Sequence, residues 1–287
     1  MCSLATLGVI QTIMTRYPIG FLMVIGVWGK PRWILEIIQF PSMTRVPPNR
    51  IILFDYAPSR SGEVPKALLS GFTGTLVTDG YEGYNAVVKQ QSLTHAGFWV
   101  HARRKFDEAL KSRQKGKLSK GGKASRALNM IGKLYQIERA TKAMTPDERL
   151  ALRQEKAKPI LEEFRQWLDS SLNQVPPKTL TGKALQYLHN QWDKLQVFMT
   201  DGRVPMDNNV AENVIRPFVI GRKNWLFSNS QSGAKSSAAI YSVIQTAKAN
   251  GLEPHAYLSC VLAELPKVET LEQIEALLPV ADQRSLD

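Results

Sequence analysis

The stretch Gly74-Thr75-Leu76-Val77-Thr78-Asp79-Gly80-Tyr81 decides how this chain is read. Thr75 to Thr78 is a β-branched, apolar run, too short for a helix and stopped by Gly80, so it predicts a buried strand with Asp79 at its C-terminal tip. Ligands in open α/β sheets gather at such tips. An aspartate before glycine also suits an Asx-type turn, so Asp79 taken alone carries no function. Working outward, Arg50 to Tyr56 reads as a strand, Gly62 to Ser70 as a helix, Tyr81 to Gln90 as a helix and Thr94 to Val100 as another strand. The fold class is therefore α/β.

A second carboxylate stands out far along the chain, in Met206-Asp207-Asn208-Asn209-Val210-Ala211-Glu212-Asn213-Val214-Ile215-Arg216-Pro217. Asp207 or Asn208 can cap a helix here by accepting a backbone N–H of its first turn. Pro217 disfavours the α region for Arg216, which predicts that the helix stops there. At helical spacing Asn208 and Glu212 share a face, whereas Asp207 points elsewhere. That face suits a metal site. The simpler alternative is a Glu212–Arg216 surface pair, worth roughly 0.3–0.5 kcal/mol. Just beyond lie Arg222, Lys223 and Lys235, cations whose nearness in sequence to Glu212 suits phosphate binding, or which are ordinary surface charges around a packed Trp225.

Composition narrows the class. The formal charge is +12, from 37 basic and 25 acidic residues, which points to polyanionic partners. Cys2 and Cys260 sit in unrelated contexts, so the sequence supports neither a disulfide framework nor a zinc knuckle, and a reducing cytoplasm fits. The apolar runs Leu4 to Ile13 and Ile19 to Trp28 are each shorter than the ~20 residues needed to span a bilayer. No basic region precedes the first, so neither a membrane span nor a signal peptide is expected.

Between Arg103 and Arg126 ten basic residues face two acidic ones, Asp107 and Glu108, with Gly116, Gly121 and Gly122 interspersed. A charge run of this kind is either a solvated face or loop, or a surface for DNA phosphates. Apolar residues then recur at three- and four-residue steps over Ala127 to Ala143, Pro146 to Ser170 and Lys183 to Thr200, predicting helices whose Trp167, Tyr187, Trp192 and Phe198 are core. Ala234 to Asn250, closed by Gly251, predicts one more helix.

Four blocks together resemble the transposases of the bacterial insertion-sequence 66 family: "FDYAPSRSGEVPKALL" at Phe54 to Leu69, "LVTDGYEGYN" at Leu76 to Asn85, "HARRKF" at His101 to Phe106, and the long segment from Met206 to Pro254. The likeness runs from about Pro47 to about Val280 in the family's order. It implies an RNase H-like catalytic core over 47–235 with a helical insertion at about 119–200, and a small helical C-terminal element over 236–280. By resemblance Asp79 corresponds to the family's second catalytic aspartate and Glu212 to its glutamate, both as ligands of two Mg²⁺ or Mn²⁺ ions. The same resemblance implies DNA as partner, both transposon ends and target, bound in part by Arg103, Arg104, Lys105, Arg222 and Lys223. It also admits a homo-oligomer and accessory proteins of the same element.

The family's first aspartate has no counterpart. Residues 1–46 hold a single acidic side chain, Glu36, and are expected to be an atypical leader, frame-shifted or otherwise unrelated to the family's sequence, leaving the core incomplete at its N-terminal edge. Asp55 and Glu36 are the fallback candidates for the absent ligand. Two functions follow: a DNA-cleaving and strand-transferring enzyme in a truncated copy, or a catalytically inactive DNA-binding remnant.

Overall fold

A computed structural model describes residues 21–26, 35–39, 51–57, 59, 61–114, 122–209, 212–217, 220 and 230–279. One five-stranded sheet runs through the α/β part, built from β1 (Phe21–Gly26), β2 (Leu35–Gln39), β3 (Ile51–Asp55), β4 (Thr75–Thr78) and β5 (Thr94–Gly97), in the order β3-β2-β1-β4-β5. β1 and β2 are antiparallel, Leu22 lying opposite Gln39 and Gly26 opposite Leu35. β2 and β3 are antiparallel as well, Leu35 opposite Asp55 and Gln39 opposite Ile51. Chain order therefore turns about β1, with β2 and β3 added on one side and β4 and β5 on the other.

This corrects the expectation of a sheet incomplete at its N-terminal edge. Two strands come from residues 1–46, the segment set aside as a leader. FLMVIG and LEIIQ are short apolar runs, too brief to span a bilayer but of ordinary length for a strand, and nothing in such a run tells a paired strand from an unpaired one. β4 lies where the sequence predicts it. The strand predicted to reach Val100 ends instead at Gly97. The Trp99 N–H goes to the Met206 carbonyl at 3.0 Å, outside the ladder, and a helix starts there.

The chain forms two compact units, each with its own core. The first comprises Met1–Leu76, Tyr81–Thr94 and Asn209–Asp287. In it α1 (Glu63–Leu68) and α2 (Asn85–Gln90) close over a cluster of Leu68, Leu69, Phe72, Leu76, Tyr84, Val87 and Leu93. β3 stands at an edge of the sheet and would leave N–H and C=O groups open. A long C-terminal helix, Gln231–Ala249, supplies the partners through two side chains one turn apart. The Ile52 N–H donates to Thr246 Oγ1 at 3.0 Å, and the Thr246 hydroxyl donates to the Ile52 carbonyl at 3.0 Å. One turn earlier, the Phe54 N–H donates to Ser242 Oγ at 2.8 Å. The helix Pro254–Glu264 and the short, box-capped helix Leu271–Ala276 follow.

The second unit comprises Val77–Gly80 and His95–Asn208. It is helical: α3 (Trp99–Gln114), α4 (Lys123–Ala140), α5 (Pro146–Leu152), α6 (Lys158–Leu172) and α7 (Leu180–Gln196), after which the C-terminal helices already described are α8 (Gln231–Ala249), α9 (Pro254–Glu264) and α10 (Leu271–Ala276). Residues 103–114, part of the run read as a solvated face or loop or as a surface for DNA phosphates, lie in α3, because Ala102, Phe106 and Ala109 recur at helical steps and are buried. Trp99 centres the core: its indole N–H donates to the Leu195 carbonyl at 2.9 Å, and its ring meets those of Phe164 and Trp192 at 5.8 and 6.0 Å. Trp167, Trp192 and Phe198 are buried, and Tyr187 is half-buried.

α5 and α6 join through a π turn, Arg153–Ala157, just ahead of Pro159, which has no N–H to give the ladder. Arg153 is fully buried in it and is matched atom for atom. Its guanidinium takes both Glu138 carboxylate oxygens at 2.8 Å and donates to the carbonyls of Phe198 and Asp201 at 2.6 and 3.0 Å. Among the described residues no helix is long and apolar enough to cross a membrane.

The hydroxyl closure of β3 is testable. Ser242→Ala with Thr246→Val removes the partners of two buried backbone N–H groups while keeping side-chain size nearly constant, and each stranded group costs about 1–3 kcal/mol. Urea denaturation of the double variant is expected to give a loss of roughly 2–5 kcal/mol, and a loss under roughly 0.5 kcal/mol would show that the contacts contribute nothing.

Candidate active site

Asp79 follows directly on β4, on a half-exposed turn whose shape is set by its neighbours. Gly80 has φ +83°, a left-handed conformation that a β-carbon disfavours. A Cβ there would also come within 3.3 Å of the Tyr187 hydroxyl, a tight contact, and 3.7 Å of Gln191 Oε1, an ordinary one, so the positive φ is the main reason for glycine. Behind the turn, Thr78 is fully buried. Its Oγ1 accepts the Gly80 N–H at 3.4 Å and shares a proton with His95 Nε2 at 2.8 Å.

The wall against this turn is one face of α7. Tyr187 and Gln191 are four residues apart and reach Gly80, and Lys194, three further on, acts on His95. Burial, and after it the charge of Lys194, pushes the His95 imidazole down to about 4, so it is neutral at pH 7. Burial, and after it the negative charge of Asp79, pushes the Tyr187 phenol up to about 12. That coupling puts the Asp79 carboxylate within electrostatic reach of the phenol.

All three members of the basic triplet on α3 are exposed, pointing in different directions around the helix. The Arg103 guanidinium lies 5.5 Å from the centre of the Tyr135 ring. Lys105 Nζ lies 4.8 Å from the centre of the Tyr187 ring, the ring that also packs on Gly80. Sequence reading had placed Tyr187 among core aromatics, and no local signal marks it otherwise, since the two elements that give it its role, the Asp79 turn and α3, are remote from it in the chain.

Glu212 belongs to a helical stretch over residues 212–217, in the other unit, and is half-buried; Asn208 is buried and immediately precedes helical residue 209. The helix does not stop at Arg216 as predicted: Pro217 is within it, and residue 220 is helical too. Proline's effect on its predecessor is a bias that a helix already started can override. Arg222 and Lys223 lie outside the described residues.

Carboxylate oxygens are the donors Mg²⁺ and Mn²⁺ prefer. By kind Asp79 and Glu212 suit such ions, but among the described residues no three His, Cys, Asp or Glu side chains form a metal-holding group. Asp55, the fallback, ends β3 with its carboxyl pushed up by burial, opposed by the Tyr56 backbone N–H and the charge of Lys235. Among the described residues the donors thus do not make up a complete ion site.

Residues 39–236 match the family described as Transposase IS66 family, and residues 242–280 match the IS66 C-terminal element. The uncharacterized protein y4hP of Sinorhizobium fredii is 35% identical over 221 residues, covering 73% of this chain and 40% of that protein. From the same organism, y4qI is 31% identical over 236 residues, 80% of this chain and 43% of that protein. A third, y4jD, is 27% identical over 254 residues, 86% of this chain and 48% of that protein. This chain therefore spans less than half the length of each relative. No solved structure matches significantly.

His95 makes the Asp79 turn sensitive to acid. Its pKa falls from 6.5 when unfolded to about 4 when folded, so between those values the unfolded chain binds the extra proton and stability is lost as pH drops. At full development the loss is at most roughly 3 kcal/mol. Urea denaturation at neutral pH and near pH 5 is expected to show wild type weakening, with a flatter response in His95→Gln. Equal pH responses in the two proteins would remove His95 as the cause.

Proposed function

Because the chain belongs to the IS66 transposase family, we propose that it is the DNA-processing part of an insertion-sequence transposase, acting on phosphodiester bonds by cleavage and strand transfer. The observation that carries this reading is the pair of consecutive family matches, over residues 39–236 and 242–280. The sheet supports an RNase H-like core: an antiparallel β1–β2–β3 set is extended beside β1 by β4, and the candidate carboxylate stands at the tip of β4. In such sheets ligands collect where the chain order turns.

In this reading Asp79 and Glu212 are ligands of the divalent ions, Mg²⁺ or Mn²⁺, that supply Lewis-acid stabilisation of the reacting phosphate when bound. The work this reading assigns to the chain's own side chains is binding and orientation. The Thr78 hydroxyl, bonded to His95 and to the Gly80 N–H, orders the Asp79 turn, and preorganisation of that kind is what phosphoryl transfer draws on most. Exposed cations on α3 bind DNA phosphates, in keeping with a net charge of +12. DNA is the proposed partner, and a reducing cytoplasm the proposed setting.

Neutralising phosphates releases counterions, so affinity for duplex DNA is expected to fall by roughly 0.9 log units per log unit of salt for each phosphate contacted. Changing Arg103, Arg104 and Lys105 together to alanine should flatten that slope by up to about three contacts. An unchanged slope would return these side chains to a purely solvated role.

The metal assignment has its own measurement. Calorimetry should find weak Mn²⁺ binding by the chain, reduced further in Asp79→Asn and in Glu212→Gln. The same Mn²⁺ affinity in all three proteins would remove both residues from the site.

A further inference from the structure

Arg103, Arg104 and Lys105 are consecutive, yet their surroundings differ. Arg103 lies against Tyr135, whereas Lys105 lies against Tyr187, its Nζ 4.8 Å from the ring centre. Tyr187 in turn packs its hydroxyl 3.3 Å from where a Cβ on Gly80 would stand, one residue after Asp79. A single aromatic ring therefore touches the carboxylate's turn with its hydroxyl end and holds a lysine on its face. The upward push on the Tyr187 phenol, caused by burial and by Asp79, agrees with that proximity. Lys105 is exposed, and an ammonium resting on a ring keeps its outward side open to an anion.

We propose that Lys105 is the phosphate-contacting residue of the Asp79 site, gripping the DNA strand at the phosphate over that carboxylate, and that Tyr187 is the residue that positions it. Arg103, on a different ring, belongs to the general backbone-contacting surface. This assignment rests on the DNA-processing reading above. It divides the triplet by what each member does: Lys105 aligns DNA at the reacting position, and Arg103 adds affinity anywhere along the duplex. Lysine suits the first task as a compact point charge with rotatable donors.

The test is a double-mutant cycle on DNA binding by the full chain. Fluorescence anisotropy with a short labelled duplex, in EDTA, would compare wild type, Asp79→Asn, Lys105→Ala, Arg103→Ala and the two pairs with Asp79→Asn. Removing the Asp79 charge should tighten binding, because a carboxylate repels a phosphate held beside it. That gain should vanish in the Lys105→Ala background, a coupling of about threefold or more, and persist in Arg103→Ala. Lys105→Arg and Tyr187→Phe, which keep the cation and the ring, should retain the coupling, and Tyr187→Leu should lose it. A purely structural role for Tyr187 would lower stability without moving this coupling. Additive effects of Asp79→Asn and Lys105→Ala in a protein that binds DNA would overturn the proposal alone. Absence of any salt-dependent DNA binding by wild type would overturn both it and the functional reading beneath it.

Discussion

The unit that carries Glu212 depends on how the outer edge of β3 is closed. A strand at the end of a sheet offers unsatisfied donors and acceptors, which either recruit another strand or must be covered. Here Thr246 and Ser242, one helical turn apart on α8, take the N–H groups of Ile52 and Phe54, two residues apart on β3. A turn of helix rises 5.4 Å and two residues of strand about 6.6 Å, near enough for two short hydroxyls to bridge both positions. The consequence is that the C-terminal helix completes a strand formed much earlier in the chain, within one compact unit.

In the other unit the governing constraint is different. β4 delivers Asp79 to a turn whose next residue has a left-handed φ that favours glycine, and α7 packs against that turn closely enough that a β-carbon would stand 3.3 Å from the Tyr187 hydroxyl. The buried hydroxyl of Thr78 and the neutral imidazole of His95 satisfy each other behind it. Polar groups that are buried and mutually bonded hold one geometry well, and an unpaired one is costly.

Charge completes the picture without determining the fold. A net charge of +12 favours a polyanion, but its value depends on where the cations stand. On α3, Ala102 and Phe106 are buried and the intervening basic side chains are exposed, so folding the core presents the cations. Two of them rest on aromatic faces, which restrains long flexible stems without neutralising them.

Local pattern was enough for much of this. β4, with its β-branched run and terminal Gly80, was legible because strand length and stop signal agree, and the helices of the second unit because apolar residues recur at helical steps. The motif blocks were legible as a family resemblance and the basic triplet as a charge run. Other features had no local signature. β1 and β2 consist of apolar runs that become strands only by pairing with each other and with their neighbours, so a reading of residues 1–46 alone left them out. The helical state of Pro217 and the early end of β5 at Gly97 were likewise set by what surrounds them. Above all, the sequence alone named Asp79 and Lys105 separately and took Tyr187 for core. Only the tertiary structure gathers the three, because α7 must bury its apolar face and in doing so carries one tyrosine between a turn and a helix that the chain keeps far apart.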